Sequence, residues 1–128
     1  MNPEDFKART KKYAIRVIRL VDALPASRST NALANQLVRS GTSVGANYRA
    51  ACRAKSRADF LSKIGTVEEE ADESLYWMAL LIESGKIKAD RLAGLMKEGN
   101  EILAMVCASG RTARRANQSA IRNPQSAI

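Results

Sequence analysis

At 128 residues, 45% of them hydrophobic and 27% charged, the chain has the length of one domain and is too apolar for a disordered polymer. The formal net charge is +8, which favours a polyanionic partner, and there is no histidine, which removes the commonest general base, the commonest zinc ligand and every Ser–His or Cys–His nucleophile pair. Seven glycines and three prolines are too few turn residues for a many-stranded β fold.

The first predicted helix starts at Asn2-Pro3-Glu4-Asp5, where Asn can cap, Pro suits the first turn and the acids complement the helix dipole. Tyr13, Val17, Leu20 and Leu24 recur at spacings of four, three and four, with Ala14, Ile18 and Val21 widening the apolar stripe. Pro25 ends the helix, because the residue before a proline avoids the αR region.

Ser27 is the expected cap of the second helix, whose apolar series is Leu33, Leu37, Gly41, Val44, Tyr48 and Ala51. Gly41, Ser43, Gly45 and Ala46 place small residues in mid-helix, where each glycine costs up to ~1 kcal/mol against alanine. Close approach of a neighbouring helix would compensate; the alternative is a kink. Asn47, among these small residues, suits a hydrogen bond between helices or between subunits. No Asp or Glu occurs from Ala23 to Ala58, while Arg28, Arg39, Arg49, Arg53, Lys55 and Arg57 supply six positive charges. Arg49, Arg53 and Arg57 are spaced by four and would form one ridge on a continuous helix.

A corner at Lys55-Ser56 leads into the third helix, with Ser56-Arg57-Ala58-Asp59 in the form of a capping box. Phe60, Ile64, Val67, Ala71, Ser74, Met78 and Leu81 define its apolar face, and Gly85 is the expected stop. From Asp59 to Glu83 there are seven acids and one lysine. Glu69 with Glu73, and Glu68 with Asp72, share faces as a solvated or ion-paired surface; a di-metal bundle site would require histidines as well. Glu70 lies beside the apolar stripe and calls for a cationic partner, Arg39 or Arg49. Tyr48, Tyr76 and Trp77 suit core or interface anchoring.

Ile87, Leu92, Leu95, Met96, Ile102, Leu103 and Val106 predict a fourth helix, capped near 88–90 and closed at Gly110. Residues 111–128 hold Arg111, Arg114, Arg115 and Arg122, no acid and little apolar periodicity, the composition of a flexible basic tail. The fold class expected is all-α: an antiparallel up-down-up-down four-helix bundle over 1–110, followed by a disordered tail. Cys52 and Cys107 lack C-x-x-C spacing, and no segment has the pattern of a secretory leader or a membrane span. The expected setting is therefore a reducing cytoplasm, with no membrane partner, cofactor, metal or small-molecule substrate.

Several motifs between Arg39 and Ser84 carry a resemblance. They are Arg39-Ser40-x-Thr42-Ser43-Val44-x-Ala46-Asn47-Tyr48, then Ala51, Lys55-Ser56-x-Ala58-Asp59-Phe60-x-x-Lys63, then Glu70-Ala71-x-Glu73-Ser74-x-Tyr76-Trp77 and Leu80-Leu81. With Leu24-Pro25 and Gln36-Leu37 upstream, they resemble the 23S ribosomal RNA intervening-sequence proteins over about residues 6 to 107. Ala50 departs from the pattern, which often has Glu there. The resemblance implies a left-handed four-helix bundle, assembly as a ring-like homopentamer, and no catalytic residues. It also implies a link to nucleic acid, through a related bundle that accompanies diversity-generating retroelements.

The expected function is thus non-catalytic binding of RNA or DNA through phosphate contacts from Arg49, Arg53, Lys55, Arg57, Arg111, Arg114 and Arg115. Arg39, Asn47, Tyr48, Glu70, Glu73, Tyr76 and Trp77 are the expected structural and interface residues. The competing expectation is a structural module without a nucleic-acid ligand, in which basic and acidic helices pair between subunits.

Overall fold

A computed structural model of the chain describes residues 2–122. They form α1 (Pro3–Asp22), α2 (Arg28–Ala51), α3 (Arg57–Glu83) and α4 (Ala89–Arg122), with no strand among the described residues. Local side chains set the helix starts. The side chain of Asn2 accepts hydrogen bonds from the backbone N–H of Glu4 at 2.8 Å and of Asp5 at 3.3 Å. Ser27 accepts from Thr30 N–H at 3.1 Å, and Ser56 from Asp59 N–H at 3.0 Å. The Asp59 carboxylate reaches back to the N–H of Lys55 at 3.0 Å, one residue before the cap, so the box closes a residue earlier than the usual motif. At the other end of α3, Gly85 has φ +77°, the left-handed conformation that glycine alone adopts without penalty. Gly85 N–H donates to Ile82 O at 3.0 Å and Lys86 N–H to Leu81 O at 2.9 Å, the paired bonds of a Schellman stop.

The helices pack α1 on α2, α2 on α3, α3 on α4 and α4 on α1, closing a four-helix bundle around one core. Tyr13, Val17, Leu37, Val44, Ile64, Met78, Leu92 and Ile102 fill it. The two mid-helix glycines of α2 lie under α1: a Cβ on Gly41 would stand 3.0 Å from both γ-methyls of Val17, and one on Gly45 3.1 Å from the Thr10 hydroxyl. The stripe of α1 begins earlier than Tyr13, with Phe6 and Thr10 buried, and Ile18 is 42% exposed instead of widening it. Thr10 can be buried because its hydroxyl donates to Phe6 O at 3.0 Å.

Two long-range polar links tie α1 across the bundle. Ser74 donates its hydroxyl to Ala71 O at 2.7 Å, which leaves Tyr13 as the donor in the 2.8 Å bond between Tyr13 and Ser74. Burial raises the Tyr13 phenol above its ordinary value. On the α4 side, Arg9 holds Glu98 with two hydrogen bonds, at 2.7 and 2.9 Å, and lies 3.6 Å from Glu101. The bond from Arg9 holds the Glu98 carboxyl below the ordinary glutamate range. A carboxyl lowered by folding contributes stability above its unfolded value and loses it as pH falls through the folded one. Glu98→Gln should therefore cost about 1 kcal/mol at pH 7 and less at pH 3, read from urea midpoints at the two pH values. An equal loss at both would contradict the ion pair.

The helix stop expected at Gly110 is corrected. α4 continues to Arg122, so residues 111–122 are helical where a flexible tail was expected, and the rest of that tail, 123–128, lies outside the described residues. Gly110 does not terminate the helix because it lacks positive φ; it is buried at a crossing where an added Cβ would stand 3.3 Å from Ile64. The alanines, arginines and glutamine after it are good helix formers. At ~1.5 Å per residue, α4 spans about 51 Å against about 30 Å for α1, and it overhangs the end of the bundle. No described helix is long and apolar enough to cross a membrane.

Candidate functional site

The overhang of α4 brings two basic segments together at one end of the bundle. The first is the connection between α2 and α3. α2 ends at Ala51, so Arg49 lies in its last turn, Arg53 and Lys55 lie in the connection, and Arg57 opens α3. The single ridge of Arg49, Arg53 and Arg57 is therefore not formed: a helix end separates residues whose spacing of four would align them only on an unbroken helix. The second segment is the α4 extension with Arg111, Arg114, Arg115 and Arg122, all exposed. Arg57 joins the two, its guanidinium donating to Ala116 O of α4 at 3.0 Å.

The charge here is unbalanced. Residues 52–58 and 108–122 carry seven cations (Arg53, Lys55, Arg57, Arg111, Arg114, Arg115 and Arg122) and no acid. Among the described residues none of the seven enters an ion pair within the chain. Asp59, the nearest acid in sequence, is engaged by Lys63 and by Lys55 N–H, and the Lys63 bond holds its carboxyl below the ordinary range.

Between the basic segments runs an open groove of about 1060 Å³. Its walls come from Tyr48, Ala51 and Cys52 of α2 and its cap, Phe60 of α3, and Met105, Ala108, Ser109 and Thr112 of α4, with Lys7 and Arg57 on them too. Tyr48 is buried edge-on against Phe6, with ring centroids 4.7 Å apart, and burial raises its phenol. Sequence patterning does not identify this groove. Lys7 and Met105 reach it from opposite ends of the chain, and Phe60 and Tyr48 carry the ordinary signature of core residues.

The remaining sequence-predicted residues lie elsewhere. Arg39 pairs with Glu70 at 3.2 Å and with Glu73, whose carboxylate also accepts the Trp77 indole N–H at 3.1 Å. The Arg39 bond holds Glu73 below its ordinary range. Arg39 is thereby committed to linking α2 to α3. Asn47 donates to Ser43 O of its own helix at 2.8 Å, and among the described residues its amide makes no bond to another helix. Tyr76 is 55% exposed, its ring edge-on to the half-buried Trp77. Among the described residues no cluster of His, Cys, Asp or Glu has the makings of a metal site.

The family model of the 23S rRNA-intervening sequence protein matches residues 5–108. Among solved structures, the chain is similar to a protein of unknown function from the S23 ribosomal protein family of Bacteroides thetaiotaomicron VPI-5482. The two are 32% identical with a TM-score of 0.80, over 87% of this chain and 99% of that one. No curated protein matches the chain.

Proposed function

The chain belongs to the 23S rRNA-intervening sequence protein family, and on that premise we propose that it is a non-catalytic RNA-binding protein acting through the basic end of its bundle. One observation carries this: seven cations from two distant segments lie toward one end, and among the described residues none enters an ion pair with an acid. An array of exposed arginines gains affinity for a phosphate backbone by releasing the counterions condensed on it. Arg53, Lys55, Arg57, Arg111, Arg114 and Arg115 are assigned this role, with Arg49 on the flank. The five-residue connections support an up-down-up-down course, for which we take the left-handed twist usual in such bundles.

The test is fluorescence anisotropy with a labelled RNA over a salt series. About six phosphate contacts predict that log K falls with log salt at a slope near −4, at roughly −0.7 per contact on a single strand. Failure to bind at low salt, or binding indifferent to salt, would overturn the proposal.

A second role, self-assembly, is favoured by the outward acids of α3. Glu69 and Asp72 are exposed and enter no ion pair among the described residues, and the exposed Tyr76 lies on the same helix. They suit the basic surface of another copy, and a homopentamer is the assembly proposed. Light scattering of the native protein reads the number of subunits directly.

A further inference from the structure

The groove between the two basic segments is apolar where a purely electrostatic phosphate site has no need to be. Its side chains include the partly exposed Phe60 and Met105 and the exposed Ala108, with Tyr48 buried behind them, while Arg57 carries charge on the same walls and Lys7 is paired there with Glu4 at 3.1 Å. Duplex nucleic acid presents phosphates outward and keeps its bases stacked inside, so a duplex would use the cations and leave the groove empty. A single strand exposes both: phosphates for the cations and unstacked bases for an apolar, partly aromatic cleft. At about 1060 Å³ the groove has room for a nucleobase with its ribose. The hydroxyls of Ser109 and Thr112 lie on the α4 wall; Thr112 donates to Ala108 O at 3.1 Å and keeps its oxygen lone pairs for an incoming donor. A ribose 2′-OH is such a donor, and DNA lacks it.

From this juxtaposition we infer that the ligand is single-stranded RNA, held with a base inserted between the α2–α3 connection and the overhanging α4 while flanking phosphates rest on Arg53, Lys55, Arg57 and Arg115. This rests on the phosphate reading above and specifies the strand and sugar that it leaves open.

Cys52 supplies the probe, because it is an exposed free thiol on the groove wall, while Cys107 is a free thiol elsewhere, beside Glu68. The experiment follows alkylation of both thiols in the full-length protein by N-ethylmaleimide, using peptide mass spectrometry. The competitors are an RNA single strand, the duplex RNA of the same sequence and the matching DNA strand. At a strand concentration about ten times Kd roughly a tenth of the protein is free, so alkylation of Cys52 should slow about ten-fold with single-stranded RNA while Cys107 is unaffected. Duplex RNA should bind with a similar salt slope and leave Cys52 reactive, and the DNA strand should protect more weakly. Ala108→Leu, which fills the groove from an exposed helical position, should weaken single-strand binding roughly ten-fold, the worth of one stacked base, and spare duplex binding. If single strand and duplex bind equally and Cys52 stays reactive, base insertion is overturned while the charge reading stands. Equal protection by the DNA strand overturns the assignment to RNA. If no nucleic acid binds at low salt, the phosphate reading itself falls, and this inference with it.

Discussion

Tyr13→Ala is expected to cost about 4 kcal/mol, the loss for an aromatic side chain removed from a close-packed core. Tyr13 is 1% exposed, and its hydroxyl spans from α1 to Ser74 of α3. Because Ser74 is also bonded to Ala71 O, Tyr13→Phe leaves no orphaned group on the α3 side and should cost only about 1 kcal/mol. The same hydroxyl explains Gly99. A Cβ there would lie 2.8 Å from the Tyr13 oxygen and 2.9 Å from Leu75 Cδ2. Gly99→Ala alone gains about 1 kcal/mol of helix propensity but loses about 1–3 kcal/mol to overpacking. In the Tyr13→Phe background the oxygen is gone, the Leu75 methyl can rotate and only the ring carbon Cε1, 3.3 Å away, stays close, so Gly99→Ala should become close to neutral. Urea denaturation of the four proteins measures the coupling. Strictly additive changes would show that Gly99 is small for some other reason.

The second large effect falls on binding. Arg53→Ala, Lys55→Ala and Arg57→Ala together should lower RNA affinity about 100-fold at moderate salt and flatten the salt slope by roughly 2, three phosphate contacts' worth. Arg39→Ala should leave RNA affinity unchanged, because Arg39 is held by Glu70 and Glu73 away from the basic end. Arg57 differs from its neighbours. It fastens α4 through Ala116 O, so Arg57→Lys should keep charge yet loosen the extension, read as faster amide exchange over 111–122.

What could be read in the sequence follows from the range of each interaction. The caps at Asn2, Ser27 and Ser56 and the stop at Gly85 are set within four residues and are legible directly. The buried faces of α2 and α3 follow from spacings of three and four. The course of the chain at 52–57 is less legible: four-residue spacing of arginines reads as a ridge, and only the helix end at Ala51 breaks it. Gly110 is ambiguous for a related reason, since glycine serves both as a stop and as a packing residue, and its φ is not written in the sequence. Arg9 with Glu98, Tyr13 with Ser74 and Arg57 with Ala116 are separated by 89, 61 and 59 residues, beyond any local signal. The candidate site depends on the last of these, so its cations were visible in the sequence while the groove they flank was not.

We propose that RNA meets this protein at the basic end of the bundle. Ultraviolet crosslinking of bound RNA followed by peptide mass spectrometry tests it most directly. Crosslinks should map to the α2–α3 connection with the start of α3, through Phe60, and to 105–116 of α4. Crosslinks confined to the acidic outer face of α3, or an even scatter over the four helices, would contradict it.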